Sequence, residues 1–119
     1  MNTFSSFSHK SNEPESSVLY LVGTPIGNLN DLSYRALNIL KNVSLIACED
    51  TRQTKKIMCK FQFNNNLLSF NKHNSLNKIP KIIDNLNSGK SIALVSDAGM
   101  PSISDPGEDL VKTARSTGI

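Results

Sequence analysis

Cysteine is scarce in this sequence and never clustered: Cys48 and Cys59 are the only two, and they form neither a Cys-x-x-Cys pair nor part of a metal-ligand set. That excludes a disulfide scaffold, fits a reducing compartment and gives no reason to expect a metal. Cys48 sits inside an apolar run and reads as core packing. Long apolar stretches are also lacking. No run approaches the roughly 18 to 20 residues that span a bilayer, and the opening MNTFSSFSHKSNEPESS has no apolar segment of the signal-peptide kind. The expectation is a soluble, cytoplasmic protein with no membrane partner. With 119 residues, 38% of them hydrophobic, the chain can build one modest core and has no room for two full domains.

A third glycine is missing where it would matter. Residues 20–30, YLVGTPIGNLN, run a short apolar strand into a turn holding Gly23, Pro25 and Gly27. Backbone in such a turn can approach a ligand closely. Yet the dinucleotide fingerprint needs three glycines at fixed spacing, and no Gly-Lys-Ser/Thr follows to make a P-loop. The turn is special, but its ligand must be read from elsewhere.

Acidic residues are nearly absent from the middle of the chain. Residues 51–90 carry Arg52, Lys55, Lys56, Lys60, Lys72, Lys78, Lys81 and Lys90 against Asp84 alone, eight against one, a local net charge of +7 within an overall +3. Such a footprint suits a polyanionic partner such as nucleic acid. A solvated lysine face is the other reading, and charge by itself does not separate the two.

What is present alternates regularly. Residues 1–17 hold six serines and little that can be buried, so they read as a disordered tail, and 18–119 as one α/β domain. Strands are expected at Val18–Val22, Val43–Cys48, Leu67–Phe70 and Ser91–Val95. Helices are expected between them: one capped by Asn30 or Asp31 and carrying Leu32, Ala36 and Leu40, a basic one with Ile57 and Phe61, and one through Ile79, Ile83 and Leu86 ending at Gly89. Pro80 fits that third helix poorly and predicts a later start or a kink. A last helix follows Asp105 as N-cap, Pro106 and Glu108. Short unbroken apolar strands alternating with helices predict a mostly parallel sheet with helices on both faces. In such sheets ligands sit beyond the carboxyl ends of the strands, which is where GTPIGN, EDTR, NKHN and SDAGMP all fall.

These four turns, in this order and spacing from about Leu19 to Gly118, resemble the ribosomal RNA small subunit methyltransferase I proteins of the tetrapyrrole methylase fold. The resemblance implies the amino-terminal domain of that fold, S-adenosyl-L-methionine as cofactor, and 2′-O-methylation of a cytidine ribose in the decoding region of small-subunit rRNA. It also implies the 30S subunit as partner and a homodimer at full length, with a carboxyl-terminal domain expected to follow this chain. A tetrapyrrole- or diphthine-type methylase and a non-catalytic RNA-binding or dimerisation fragment are the alternatives. Neither of these methylases has a need for the basic segment.

By the same resemblance, Pro25, Gly27, Ser96, Asp97, Ala98, Gly99, Met100 and Pro101 line the cofactor, Met100 standing where the family usually has threonine. Glu49, Asp50, Arg52 and His73 fall to the catalytic side. Each has a plainer reading. Asp97 can be a structural Asx turn. The Glu49/Asp50/Arg52 cluster can be an ion pair that merely shapes its turn, and a lone loop histidine such as His73 is often only solvated.

Overall fold

The computed structural model describes residues 13–25, 29–96 and 107–118. Strand β1 (Leu19–Gly23) is followed by a single 3-10 turn at Leu29–Asp31 and helix α1 (Tyr34–Asn42). Then come β2 (Leu45–Cys48), α2 (Thr51–Lys60), β3 (Leu67–Ser69), α3 (Ser75–Asn87), β4 (Ile92–Ser96) and α4 (Gly107–Ser116). The strands form one sheet in the order β1-β4-β2-β3, and every pairing is parallel. The mostly parallel sheet expected from the sequence is therefore wholly parallel among the described residues.

Side chains alternate across a strand, so each strand feeds two cores. Val22, Ile46, Cys48, Ala93 and Val95 pack with Ile39 and Leu40 of α1 and Ile57 of α2 on one face. Their neighbours Ala47, Ile92 and Leu94 pack with Ile82, Ile83 and Leu86 of α3 and with Leu110 and Ala114 of α4 on the other. This division of helices follows from chain direction. Parallel crossovers are almost always right-handed, so connections that advance along the sheet, β1 to β2 and β2 to β3, share one face. The connection that returns from β3 to β4 must use the opposite one. Both faces are covered because the strand order reverses.

Two local details differ from the sequence reading. Ser33, not Asn30 or Asp31, caps α1: its Oγ accepts from the Ala36 amide at 3.0 Å, because residues 29–31 are occupied by the 3-10 turn. Pro80 lies inside α3 without shifting its start. A proline there denies a partner to the carbonyl four residues back, at Leu76, and Leu76 is 88% exposed, so water can serve instead. The end of α3 is as expected. Gly89 has φ +99°, its amide donates to the Leu86 carbonyl and the Lys90 amide to that of Asn85, the paired bonds of a Schellman cap. Asp105 and Pro106 lie outside the described residues, and α4 begins directly after them.

Glu13–Ser17, on the tail side of the boundary drawn at Val18, run against α1. Glu13 makes a two-pronged pair with Arg35 at 2.9 and 2.7 Å, raising the Arg35 pKa further, and the Glu15 amide donates to the Tyr20 hydroxyl at 2.8 Å. No helix among the described residues is long and apolar enough to cross a membrane.

Candidate functional site at the carboxyl edge of the sheet

All four strands end on the same edge, and register sets what lies beside what. Gly23 pairs with Ser96, Val95 with Cys48, and Cys48 with Ser69. Neighbouring strands lie about 4.8 Å apart, so the carboxyl ends of β1, β4, β2 and β3 stand side by side across about 14 Å. The helices that next follow β1 and β2, α1 and α2, pack on one face, whereas α4, the helix that next follows β4 between them, packs on the other. The end of a sheet at such a reversal is the usual ligand position in open parallel sheets.

The β1 side of this edge is pinned by Thr24. Its amide and hydroxyl both donate to the Ser96 carbonyl, at 2.9 and 3.2 Å, and the residue is fully buried. Thr24 thus fastens the end of β1 to the end of β4 and holds Pro25 beside Ser96. Sequence reasoning passed over Thr24, because its partner is 72 residues away and known only once β1 and β4 are neighbours. Gly27, Asp97, Ala98, Gly99, Met100 and Pro101 lie outside the described residues. Pro25 and Ser96 are, of the residues expected on the cofactor side, the two that the described structure brings together.

On the β2 side, Glu49 and Asp50 follow Cys48 directly. Glu49 is exposed, and Asp50 is the N-cap of α2, its Oδ1 accepting from the Arg52 amide at 3.0 Å and from Arg52 Nε at 3.3 Å. The Arg52 side-chain bond, then its amide, hold the Asp50 carboxyl below the usual aspartate range. Both residues are open to solvent, Asp50 by 41% and Arg52 by 87%. The turn-shaping ion pair therefore exists, and it leaves the outer nitrogens of Arg52 directed by a fixed neighbour. One turn further into α2, the buried Thr54 Oγ1 has no hydrogen-bond partner among the described residues. It is the other polar group here that the sequence did not single out.

His73 stands at the far end of the row, in the turn from β3 to α3, and is exposed. Its neighbours are structural. Asn71 Oδ1 accepts from the His73 amide at 2.8 Å, an Asx turn, while Asn74 Oδ1 accepts from the Asn71 amide at 2.9 Å and Asn74 Nδ2 donates to the Ser69 carbonyl at 3.1 Å. Two asparagines thus fix the turn and leave the imidazole free of it. Since β3 is the edge strand beyond β2, His73 adjoins the Asp50 turn and lies across the sheet from Pro25.

A wholly parallel sheet whose strand order reverses at β4, with a carboxylate–guanidinium turn at the end of the neighbouring β2, fits an α/β domain of the methylase type. The sequence agrees: residues 18–119 match the family of Tetrapyrrole (Corrin/Porphyrin) Methylases, and the chain belongs to that family. It is 56% identical over 104 residues to a protein of Streptococcus pyogenes named Ribosomal RNA small subunit methyltransferase I, covering 87% of this chain and 36% of that one. Proteins of the same name from Bacillus subtilis, 56% identical over 95 residues, and Thermotoga maritima, 52% over 101 residues, match 80% and 85% of this chain, and 32% and 46% of their own. The chain thus spans a third to under a half of the length of these relatives.

Proposed function

We propose that this domain is the amino-terminal part of an S-adenosylmethionine-dependent methyltransferase acting on small-subunit rRNA, and that the reaction is 2′-O-methylation of a cytidine ribose in the decoding region. The observation that carries the reading is the placement of the Pro25 and Ser96 turns against the Glu49–Arg52 turn around the exit of β4. Its partners are then the 30S subunit and a second copy of the protein, in the cytoplasm.

The residues suit a flat, polar nucleoside ligand. Thr24 has spent both its donors on Ser96, so the β1 side offers backbone and the Pro25 ring without bulk, and Asp97 follows β4 as an acceptor for ligand donor groups. S-adenosylmethionine held there by Pro25, Ser96 and Asp97 would supply an electrophilic methyl group for the ribose 2′-oxygen. The protein's part is chiefly to hold nucleophile and methyl in line, an effect worth up to roughly 7 to 11 kcal/mol in ideal cases. Arg52 fits an RNA phosphate. Asp50, with its pKa lowered and its oxygen already committed to Arg52, is suited to orient that guanidinium rather than to accept a proton. Glu49 and His73, both exposed on this edge, are the candidates to take the 2′-hydroxyl proton.

The test grafts residues 18–118 in place of the matching segment of the Bacillus subtilis relative. Transfer of labelled methyl to small subunits should yield one nucleotide whose 3′ phosphodiester resists alkali, the mark of a blocked 2′-oxygen. In this chimera Asp97→Ala should raise the cofactor Kd. Asp50→Ala or Arg52→Ala should leave that Kd nearly unchanged while kcat/KM for RNA falls about a hundredfold. Methyl on a base, or no transfer from a folded chimera, refutes the reading; the reverse pattern of effects refutes the division of roles.

A further inference from the structure

Helix α2 has one face that its own fold does not need. Arg52, Lys55, Lys56, Cys59 and Lys60 are exposed, and their spacing of three, one, three and one places them on a single side. Thr54 and Ile57 are buried on the opposite side. Nothing acidic lies on the helix, and none of Lys55, Lys56 and Lys60 has an ion-pair partner among the described residues. Stability disfavours this pattern. Arg52 with Lys56, and Lys56 with Lys60, are like charges four residues apart, and the first two cations sit toward the positive end of the helix dipole. A set of charges that repel one another in the free protein gains when an external polyanion neutralises them.

We infer that the outer face of α2, from Arg52 to Lys60, is the docking surface for the RNA backbone adjoining the nucleotide held at the sheet edge. The inference rests on the proposed RNA substrate and says which surface carries it. The face begins at that edge, two residues after Asp50, and extends about 12 Å away from it at 1.5 Å per residue. That length accommodates about three successive phosphates of a single strand. Lys72, exposed in the neighbouring turn after β3, extends the positive rim. The lysines of the opposite face, Lys81 on α3 and Lys90 after it, are separated from this path by the sheet and have Asp84 near them in sequence.

Salt dependence of binding tests this. The full chain is titrated with a fluorescently labelled single-stranded RNA taken from the small-subunit decoding region, between about 50 and 300 mM salt, a range over which phosphate contacts are read as a log-log slope. Three lost contacts should reduce the slope of a Lys55→Gln/Lys56→Gln/Lys60→Gln variant by about 2, since each contributes roughly 0.7 on a single strand. Affinity near 100 mM salt should fall at least tenfold, on the order expected for that loss. A Lys81→Gln/Lys90→Gln variant should keep both. All five positions are exposed, so circular dichroism should be unchanged in either variant. An unchanged slope in the triple variant, an equal loss in the double one, or equally lysine-dependent binding to anionic lipid vesicles overturns the assignment. Methyl transfer by the chimera is scored apart: transfer with an unaltered slope sinks this surface alone, and a lowered slope without transfer sinks the reaction alone.

Discussion

Asp50, proposed to orient Arg52, already has a structural task. Asp50 caps α2 and pairs with Arg52, so its carboxyl is held below the ordinary aspartate range by the Arg52 side chain first and the Arg52 amide second. A depressed folded-state pKa contributes stability that is present above the unfolded value, about 3.9, and is lost as pH falls through the folded value. Asp50→Asn keeps the capping acceptor and removes the charge. The Tm of this variant should lie below that of the parent at pH 7, and the gap should close as pH falls through the depressed folded-state value and both become uncharged. The gap should also narrow in high salt, because Arg52 is largely exposed. A gap that stays constant with pH would show that the charge contributes nothing and only the cap matters. The residues Asp50 and Arg52 were legible in the sequence, as were their two roles. Which role the geometry realises was not, because the choice depends on where α2 starts. Thr24 and Thr54 were not legible at all, since a threonine acquires meaning only from what surrounds it when buried.

Helices were the easiest elements to read and α3 the most instructive. Its apolar period and its glycine stop are both realised, with Ile82, Ile83 and Leu86 buried and Gly89 at positive φ. Pro80 remains inside because burial of that stripe outweighs one missing hydrogen bond whose acceptor faces water. The missing bond and the ring's clash still cost something. Pro80→Ala should therefore raise stability by about 1 to 3 kcal/mol, read as a higher urea midpoint with an unchanged m-value. A lowered midpoint would mean that the proline is matched to its place, for instance by restricting the unfolded chain. The turn of three asparagines before β3 illustrates the opposite case. Asn65 Nδ2 donates to the Leu40 and Val43 carbonyls, both at 2.9 Å, and so satisfies the end of α1. Composition marks that stretch only as a turn, and the carbonyls it serves are 25 and 22 residues earlier.

At the scale of the whole molecule, stability should be concentrated where the strand order places β4. It pairs with β1 on one side and β2 on the other, and Ile92 and Ala93 are fully buried between the two helical layers. Native-state hydrogen exchange should find the slowest amides in Ala93–Val95 of β4 and Ile46–Ala47 of β2. The amides of β3, a three-residue edge strand, should exchange faster. Equal protection in β3 and β4 would contradict the picture of a central strand supported from both sides.

The sequence by itself determined the alternation of strand and helix, the parallel character of the sheet and the gathering of four polar turns on one edge. Each of these follows from local information: the period of apolar residues, the chemistry of caps and turns, and the rule that strands joined through helices run the same way. It also located the basic stretch and, through GTPIGN, EDTR, HN and SDAG, the family to which the chain belongs. Tertiary structure alone decided that the last strand enters between the first and the second. That insertion puts Ser96 between Thr24 and Glu49, and it separates the cations of α2 from those of α3 by a sheet. Neither outcome is local, because each depends on which strands become neighbours, and strand neighbours are chosen by burial over both faces rather than by the residues that will meet at the edge.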